Sequence, residues 1–331
     1  MFTPPRIFLL LALVSLLCAC GGNRAEPQEE RLQVVATVSP LTNIVYNISG
    51  DHVELTGLVP AGADSHTFEL APSDAVTLAS ADLIFINGLD LETSAMQMAE
   101  ANLKDGGEIV LLGEMVIDPE EYVFDFSFPE EAGSPNPHLW TDPIFALAYA
   151  EIVREKLTAH DPGNAEAYQA NYDEFAARIE ALDAAIQATT ASIPAESRKL
   201  YTYHDSFAYF APRYDYTVLG AIQPADFSEP SGQEVAALID QLREGGVPAI
   251  FGSEVFPSRV VDQIGREAGV EFVSTLSDDD LPGNPGDPEH SYISMMVENL
   301  KTMAEALGGD PSLMDGVETG NVPGPDTSVN Q

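Results

Sequence analysis

Cysteine is all but missing from this chain. Its 331 residues include two, Cys18 and Cys20, both at the end of the first apolar stretch. The remainder therefore has neither disulfides nor thiolate metal ligands to draw on. Positive charge is nearly as scarce: 14 Lys and Arg stand against 53 Asp and Glu, a formal net charge of −39. That balance excludes nucleic acid and anionic membrane surfaces as partners held by charge, because both need clustered Lys and Arg. A cation is the natural partner, although any single acidic residue away from a site reads first as a solvated side chain. Long apolar runs are missing as well, since the run from Ile7 to Leu17 is too short to cross a bilayer comfortably. No His-Glu-x-x-His motif occurs, which removes that signature of a zinc hydrolase.

The short run after Arg6 has the length of a signal-peptide core. It ends Leu17-Cys18-Ala19-Cys20-Gly21, which resembles a bacterial lipobox. On that resemblance residues 1–19 are a lipoprotein signal peptide, Cys20 carries the lipid anchor, and Cys18 leaves with the signal. The alternative, a Cys18–Cys20 disulfide, is disfavoured because two residues of separation strain the bridge. Residues 20–33, rich in Gly, Pro, Glu and Gln without an apolar period, read as a flexible tether.

From Val34 onward, strand and helix patterns alternate. The β-branched run Val34 to Val38 precedes a helix opened by Ser39-Pro40 and ended by Gly50. His52 to Val59 reads as a strand, followed by a loop carrying His66; Ala81 to Asn87 and Glu108 to Gly113 are further strands. Residues 118–136 are acidic, Pro- and Phe-containing and free of histidine, a loop that delivers the chain to Asn136-Pro-His138-Leu-Trp-Thr-Asp-Pro143. There Asp142 caps a helix and Pro143 presets its first turn.

A second Asp-Pro pair, Asp161-Pro162, opens a longer helix. Its stripe of Tyr168, Tyr172, Phe175, Ile179, Leu182 and Ile186 runs toward Pro194. At about 1.5 Å per residue that helix spans roughly 40 Å, enough to run along two domains. The alternation then resumes, with strands at Lys199 to Tyr203, Thr217 to Ile222, Ala249 to Gly252 and Glu271 to Thr275, and a capping box at Ser231 to Glu234. The expected division is a lobe over 34–160, a linking helix over 161–194, a second lobe over 195–308 and a disordered tail over 309–331. Such alternation predicts α/β architecture with parallel sheets and ligands beyond the strands' carboxyl ends.

His66, His138 and His204 fall in strand-end loops or at a helix start, and the last strand ends at Asp278-Asp279-Asp280. One such histidine alone is more often a core or surface residue. Three histidines and one carboxylate together would complete a four-donor site suited to Zn²⁺.

The motifs resemble one family: the substrate-binding proteins of metal-transporting ABC importers, the zinc and manganese group that includes surface lipoproteins once called adhesins. The resemblance rests on Pro60 to Glu69, Ala81 to Glu92, Asn136 to Pro143, Tyr203 to Phe210 and Ser228 to Ser231. It implies two Rossmann-like lobes joined by one long helix, with metal in the cleft between them. It also implies His66, His138 and His204 as ligands and an aspartate as the fourth. Asp279 matches best because Leu281 aligns with the apolar residue of the family's turn, with Asp278 and Asp280 as alternatives. His52 and His160 match no ligand motif and read as structural or exposed, whereas His290 is placed near the site mouth.

Manganese members tend to carry glutamate where His204 stands, so a third imidazole favours zinc over manganese. Affinity is expected to drop as pH falls, because imidazole must be neutral to bind metal. The resemblance implies a monomeric, non-enzymatic protein, lipid-anchored outside the cytoplasmic membrane, that passes Zn²⁺ to a permease driven by an ATPase. The alternatives are a manganese or iron protein of the same family, or an adhesin whose metal stabilises the fold.

Overall fold

The computed structural model describes residues 31–225, 227–228, 230–255, 259–327 and 329. The expected signal peptide, Cys20 and most of the tether lie outside the described residues. The first half comprises β1 (Leu32–Ala36), α1 (Ser39–Ser49), β2 (Val53–Gly57), α2 (Asp74–Ser80), β3 (Leu83–Ile86), α3 (Thr93–Asn102), β4 (Glu108–Leu111) and α4 (Leu112–Val116). Two long helices follow, α5 (Pro143–His160) and α6 (Ala165–Ser192). The second half comprises β5 (Lys199–Thr202), α7 (Phe210–Arg213), β6 (Thr217–Ala221), α8 (Gly232–Gly245), β7 (Ala249–Ser253), α9 (Arg259–Ala268), β8 (Glu271–Leu276) and α10 (Tyr292–Leu307). No described helix is long and apolar enough to cross a membrane.

Each half builds a four-stranded, wholly parallel sheet, in the order β2-β1-β3-β4 and β6-β5-β7-β8. Helices cover both faces of such sheets, so central strands have no wet side. Every residue of β3 and of β7 is accordingly buried. The same residue pattern that makes these strands continuous apolar runs also sends the loops that follow them to one end of each sheet, where the site lies.

α6 packs on α1, α5 and α10 through Tyr168, Phe175, Ile179, Leu182 and Ile186. Tyr172 lies at the edge of that stripe, half-buried under the Arg154 guanidinium at 5.2 Å. The inner faces of both sheets, together with α1, α5, α6 and α10, share one hydrophobic cluster. The outer faces have separate clusters, around Ile84 in one half and Ile250 in the other.

The segment after Gly308, expected to be disordered, is instead tied down. Asn321 Oδ1 accepts from Asn43 Nδ2 and Asn47 Nδ2, both at 3.0 Å, and Asn321 Nδ2 donates to the His290 carbonyl at 3.0 Å. Tyr46 donates its hydroxyl to the Pro325 carbonyl at 3.0 Å, and Asp326 accepts from the Gly286 amide at 2.7 Å. Side-chain bonding to α1 and to the loop before α10 supplies what an apolar period would supply in a helix. Met314, buried at 1% exposure, adds an apolar anchor.

Candidate metal centre

The Asn136–Pro143 stretch clasps the second half of the molecule. Asn136 Nδ2 donates to the Asp205 carbonyl at 2.6 Å, Trp140 Nε1 to the Asp278 carbonyl at 2.7 Å, and Thr141 Oγ1 to the Ser206 carbonyl at 2.9 Å. Asp142 then caps α5, accepting from the Ile144 amide at 2.9 Å, and Pro143 follows as its first residue. His138 sits on this rigid support, fully buried.

Its ring orientation is fixed chemically. Asn136 Oδ1 accepts from the His138 amide at 3.1 Å and lies 2.8 Å from His138 Nδ1. The Asp205 carbonyl can only accept and the His138 amide can only donate, so the Asn136 amide has one orientation. Nδ1 therefore carries the proton, and the Nε2 lone pair faces inward. From the far side, Asn87 Nδ2 donates to the Pro137 carbonyl at 3.0 Å and Tyr149 donates to Asn87 Oδ1 at 2.7 Å.

His66 lies in the loop beyond β2, where Asp64 organises the turn by accepting from the His66 amide at 2.9 Å and the Thr67 hydroxyl at 2.8 Å. Its ring stacks on Phe227 at 4.4 Å with an interplanar angle of 13°. His204 follows β5 and is buried, its Nδ1 3.1 Å from Asp278 Oδ2. The three imidazoles converge: His66 Nε2 lies 3.1 Å from both His138 Nε2 and His204 Nε2.

The structure gives the three aspartates different surroundings. Asp278 backs His204 and takes a hydrogen bond from Ser206. Asp280 Oδ2 accepts from the Gly62 amide at 2.6 Å, turned toward the His66 loop rather than the imidazoles. Asp279 Oδ2 accepts from Ser65 at 2.8 Å, whereas its Oδ1 lies 4.0 Å from His138 Nε2. That buried oxygen meets no hydrogen-bond donor among the described residues. Two overlapping groups of candidate donors result, one of His66, His138 and His204, the other of His204, Asp278 and Asp279.

Sequence reasoning missed the residue beneath this loop. Glu254, just after β7, accepts through one oxygen from the amides of Asp278, Asp279 and Asp280, each at 2.9 Å. It shapes the turn that presents the aspartates. A lone glutamate carries no spacing signature, and its position beyond a strand's carboxyl end was the signal available.

Burial, and then the His204 charge, hold His66 and His138 well below the ordinary imidazole range, so both stay neutral. Burial would lower His204 too, but the Asp278 and Asp279 carboxylates outweigh it and raise the ring to about 10. Burial lifts Asp279 to about 7 against the pull of His204. For Asp278, His204 and Ser206 outweigh burial and hold the carboxyl below its usual range. The cluster thus sets two neutral imidazoles, His66 and His138, beside a protonated His204 balanced by Asp278 and Asp279, and His204 must release a proton before its Nε2 can bind an ion.

The other histidines lie elsewhere. His160 Nε2 is 3.0 Å from Glu108, and His52 is exposed with its ring edge-on to Tyr168. His290, expected at the site mouth, is instead fully buried under the C-terminal segment, near the Pro282 carbonyl and Asp326. The loop before α10 turns inward rather than along the cleft.

Residues 34–306 match the family described as zinc-uptake complex component A, periplasmic. The iron-binding protein YfeA of Yersinia pestis is 31% identical over 306 residues, covering 91% of this chain and 95% of that protein. The manganese ABC transporter substrate-binding lipoprotein PsaA of Streptococcus pneumoniae is 28% identical, covering 90% and 96%. Among solved structures, the periplasmic zinc binding protein TroA from Treponema pallidum superposes with a TM-score of 0.75 at 28% identity, covering 84% of this chain and 99% of that one. Paired parallel sheets, a long helix and converging imidazoles thus define a metal-binding, substrate-binding component of an ABC importer, which performs no catalysis. The chain belongs to the zinc-uptake complex component A family.

Proposed function

We propose that the protein captures Zn²⁺ outside the cytoplasmic membrane through His66 Nε2, His138 Nε2, His204 Nε2 and Asp279 Oδ1, and hands it to the importer's permease. The observation that carries this reading is the convergence of three Nε2 atoms, two of the separations being 3.1 Å, beside a carboxylate oxygen that meets no donor among the described residues. A zinc–nitrogen bond of about 2.0–2.1 Å in a tetrahedron sets neighbouring donors roughly 3.3 Å apart. Only small adjustments would close the cluster around the ion.

The relatives are named for iron, manganese and zinc, so the donor chemistry rather than kinship carries the choice of metal. Three borderline imidazoles and one carboxylate suit zinc better than manganese, which favours oxygen. Four protein donors leave no position for a reactive water, in keeping with carriage rather than hydrolysis. In this reading residues 34–160 and 195–308 are the two lobes, 161–194 joins them, Cys20 anchors the monomer to the membrane through lipid, and the ATPase acts through the permease.

X-ray absorption at the zinc edge of the loaded protein tests the ligand set. Four light donors at about 2.0–2.1 Å with imidazole scattering are expected. A six-coordinate shell, or loss of no imidazole signal in His204→Ala, would contradict the assignment.

A further inference from the structure

The loop over residues 118–136 has an outer face that capture of the ion does not use. No Lys or Arg occurs between Lys104 and Arg154, whereas Asp118, Glu120, Glu121, Glu130 and Glu131 are all exposed. Among these charges stand Phe124 and Phe126, 37% and 48% exposed. Of the exposed large apolar side chains among the described residues, these two alone are aromatic. Two rings in water inside an acidic field are unfavourable for the isolated molecule, and such a pattern marks a surface that is covered at work.

The inner face of the same loop forms the wall of the metal site. The Asp125 amide donates to the Phe128 carbonyl at 2.9 Å, closing a turn that points Phe128 inward. The Phe128 ring lies 5.6 Å from both the His66 and the His138 rings. Ser127 ties the turn to the other half, its amide donating to Asp205 at 2.9 Å and its hydroxyl to the Gln223 carbonyl at 2.8 Å. Beside it a cavity of about 150 Å³ is lined by His66, Phe128, Pro137, Ala225 and Phe227, and so reaches the His66 imidazole. At most about 3.6 Å of chain separates successive residues, so Phe126 and Phe124 follow within roughly 7 and 14 Å of chain from the wall residue Phe128.

We infer that Phe124 and Phe126, within their acidic surround, form the surface on which the importer's permease docks, against an apolar pocket ringed by Lys or Arg. The inference rests on the import reading above and assigns the partner's place on the molecule. An ion passed directly from one protein to another must leave through a mouth that the receiver covers, and the loop that carries these rings walls an opening beside His66 through Ser127 and Phe128. Acidic charge on one side steers a basic partner and sets register, while buried aromatic rings supply most of the hold. Because the outer rings lie two and four residues before Phe128 in one short loop, docking also pulls on the wall that closes over His66 and His138.

The test uses the full-length lipoprotein, zinc-loaded, with its own permease and ATPase reconstituted in proteoliposomes. Binding to the permease and zinc uptake are read in wild type, in Phe124→Ser/Phe126→Ser, and in Val76→Ser as a control at an exposed site elsewhere. The double variant is expected to lose permease affinity and uptake by roughly tenfold or more, with zinc affinity and the Val76→Ser control unchanged. Wild-type docking is expected to weaken as salt rises. A double variant that docks and delivers like wild type, or that loses zinc affinity in proportion, overturns the surface alone. Wild-type protein that neither docks nor delivers zinc overturns the import reading and the surface together.

Discussion

At His138 a neighbour selects the nitrogen that faces the cluster. Asn136 is read in the sequence as part of a motif, but its work is visible only in space: one amide holds His138 Nδ1–H and, through Asp205, the opposite half of the molecule. Replacing it by alanine leaves a buried N–H without a partner and frees the ring to turn. Asn136→Ala is expected to lower zinc affinity by about 10–100-fold while the circular dichroism spectrum is kept, as measured by competition with a chromogenic chelator. Glu92 is a second residue whose role the sequence hides. It is buried, accepts from the Asn87 and Gly88 amides at 3.0 and 3.1 Å and from Thr37, and braces the turn behind Pro137. Burial pushes its carboxyl up from 4.5 to about 7. Between those values the folded form holds a proton that the unfolded chain has released, so this contribution is full below pH 4.5 and is lost as pH rises through 7. Wild type should therefore lose roughly 3 kcal/mol relative to Glu92→Gln between pH 5 and pH 8 in urea unfolding. A difference that is flat with pH would show that Glu92 is already ionised in the folded protein.

Among the elements, those with a period or a cap were legible. The β-branched and continuous apolar runs marked the strands, the Asp-Pro pair marked α5, and Ser231 with Glu234 marked α8, where both halves of the capping box form. The second Asp-Pro pair opens a 3-10 turn, and α6 begins three residues later than its cap suggests. α3 escaped notice because Thr93 to Asn102 buries only Ala95 and Ala99 and so shows no apolar stripe. The C-terminal segment escaped for a related reason: Gly, Pro, Asp and Asn describe no periodic element, yet Asn321 and Asp326 bind through side chains that composition cannot orient. Its hydrogen bonds join α1 of the first half to the loop before α10 of the second. Truncation before Asn321 leaves Asn43, Asn47 and the His290 carbonyl without their partner, and is expected to cost about 1–3 kcal/mol in thermal or urea unfolding. Unchanged stability would make the segment a passive appendage.

The whole molecule joins two sheets through one continuous core rather than across an open hinge, and gathers its chemistry where their loops meet. The three histidines were legible as strand-end or helix-start residues because parallel sheets collect such residues at one end. Among Asp278, Asp279 and Asp280 the sequence pointed to Asp279 only through the match of Leu281 to a family turn; what each carboxylate faces was hidden, because that depends on a turn shaped by Glu254, just after β7. Net charge of −39 favours any cation, so selectivity resides in the donors rather than in the field. Zinc selection is therefore tested most directly by competitive titration of the protein with Zn²⁺ and Mn²⁺, followed by calorimetry, in wild type and in His204→Ala. One tight zinc equivalent that equimolar manganese does not displace, and that weakens markedly in the variant, is expected; tight manganese binding that displaces zinc, undiminished by loss of His204, would contradict zinc selection by the three imidazoles.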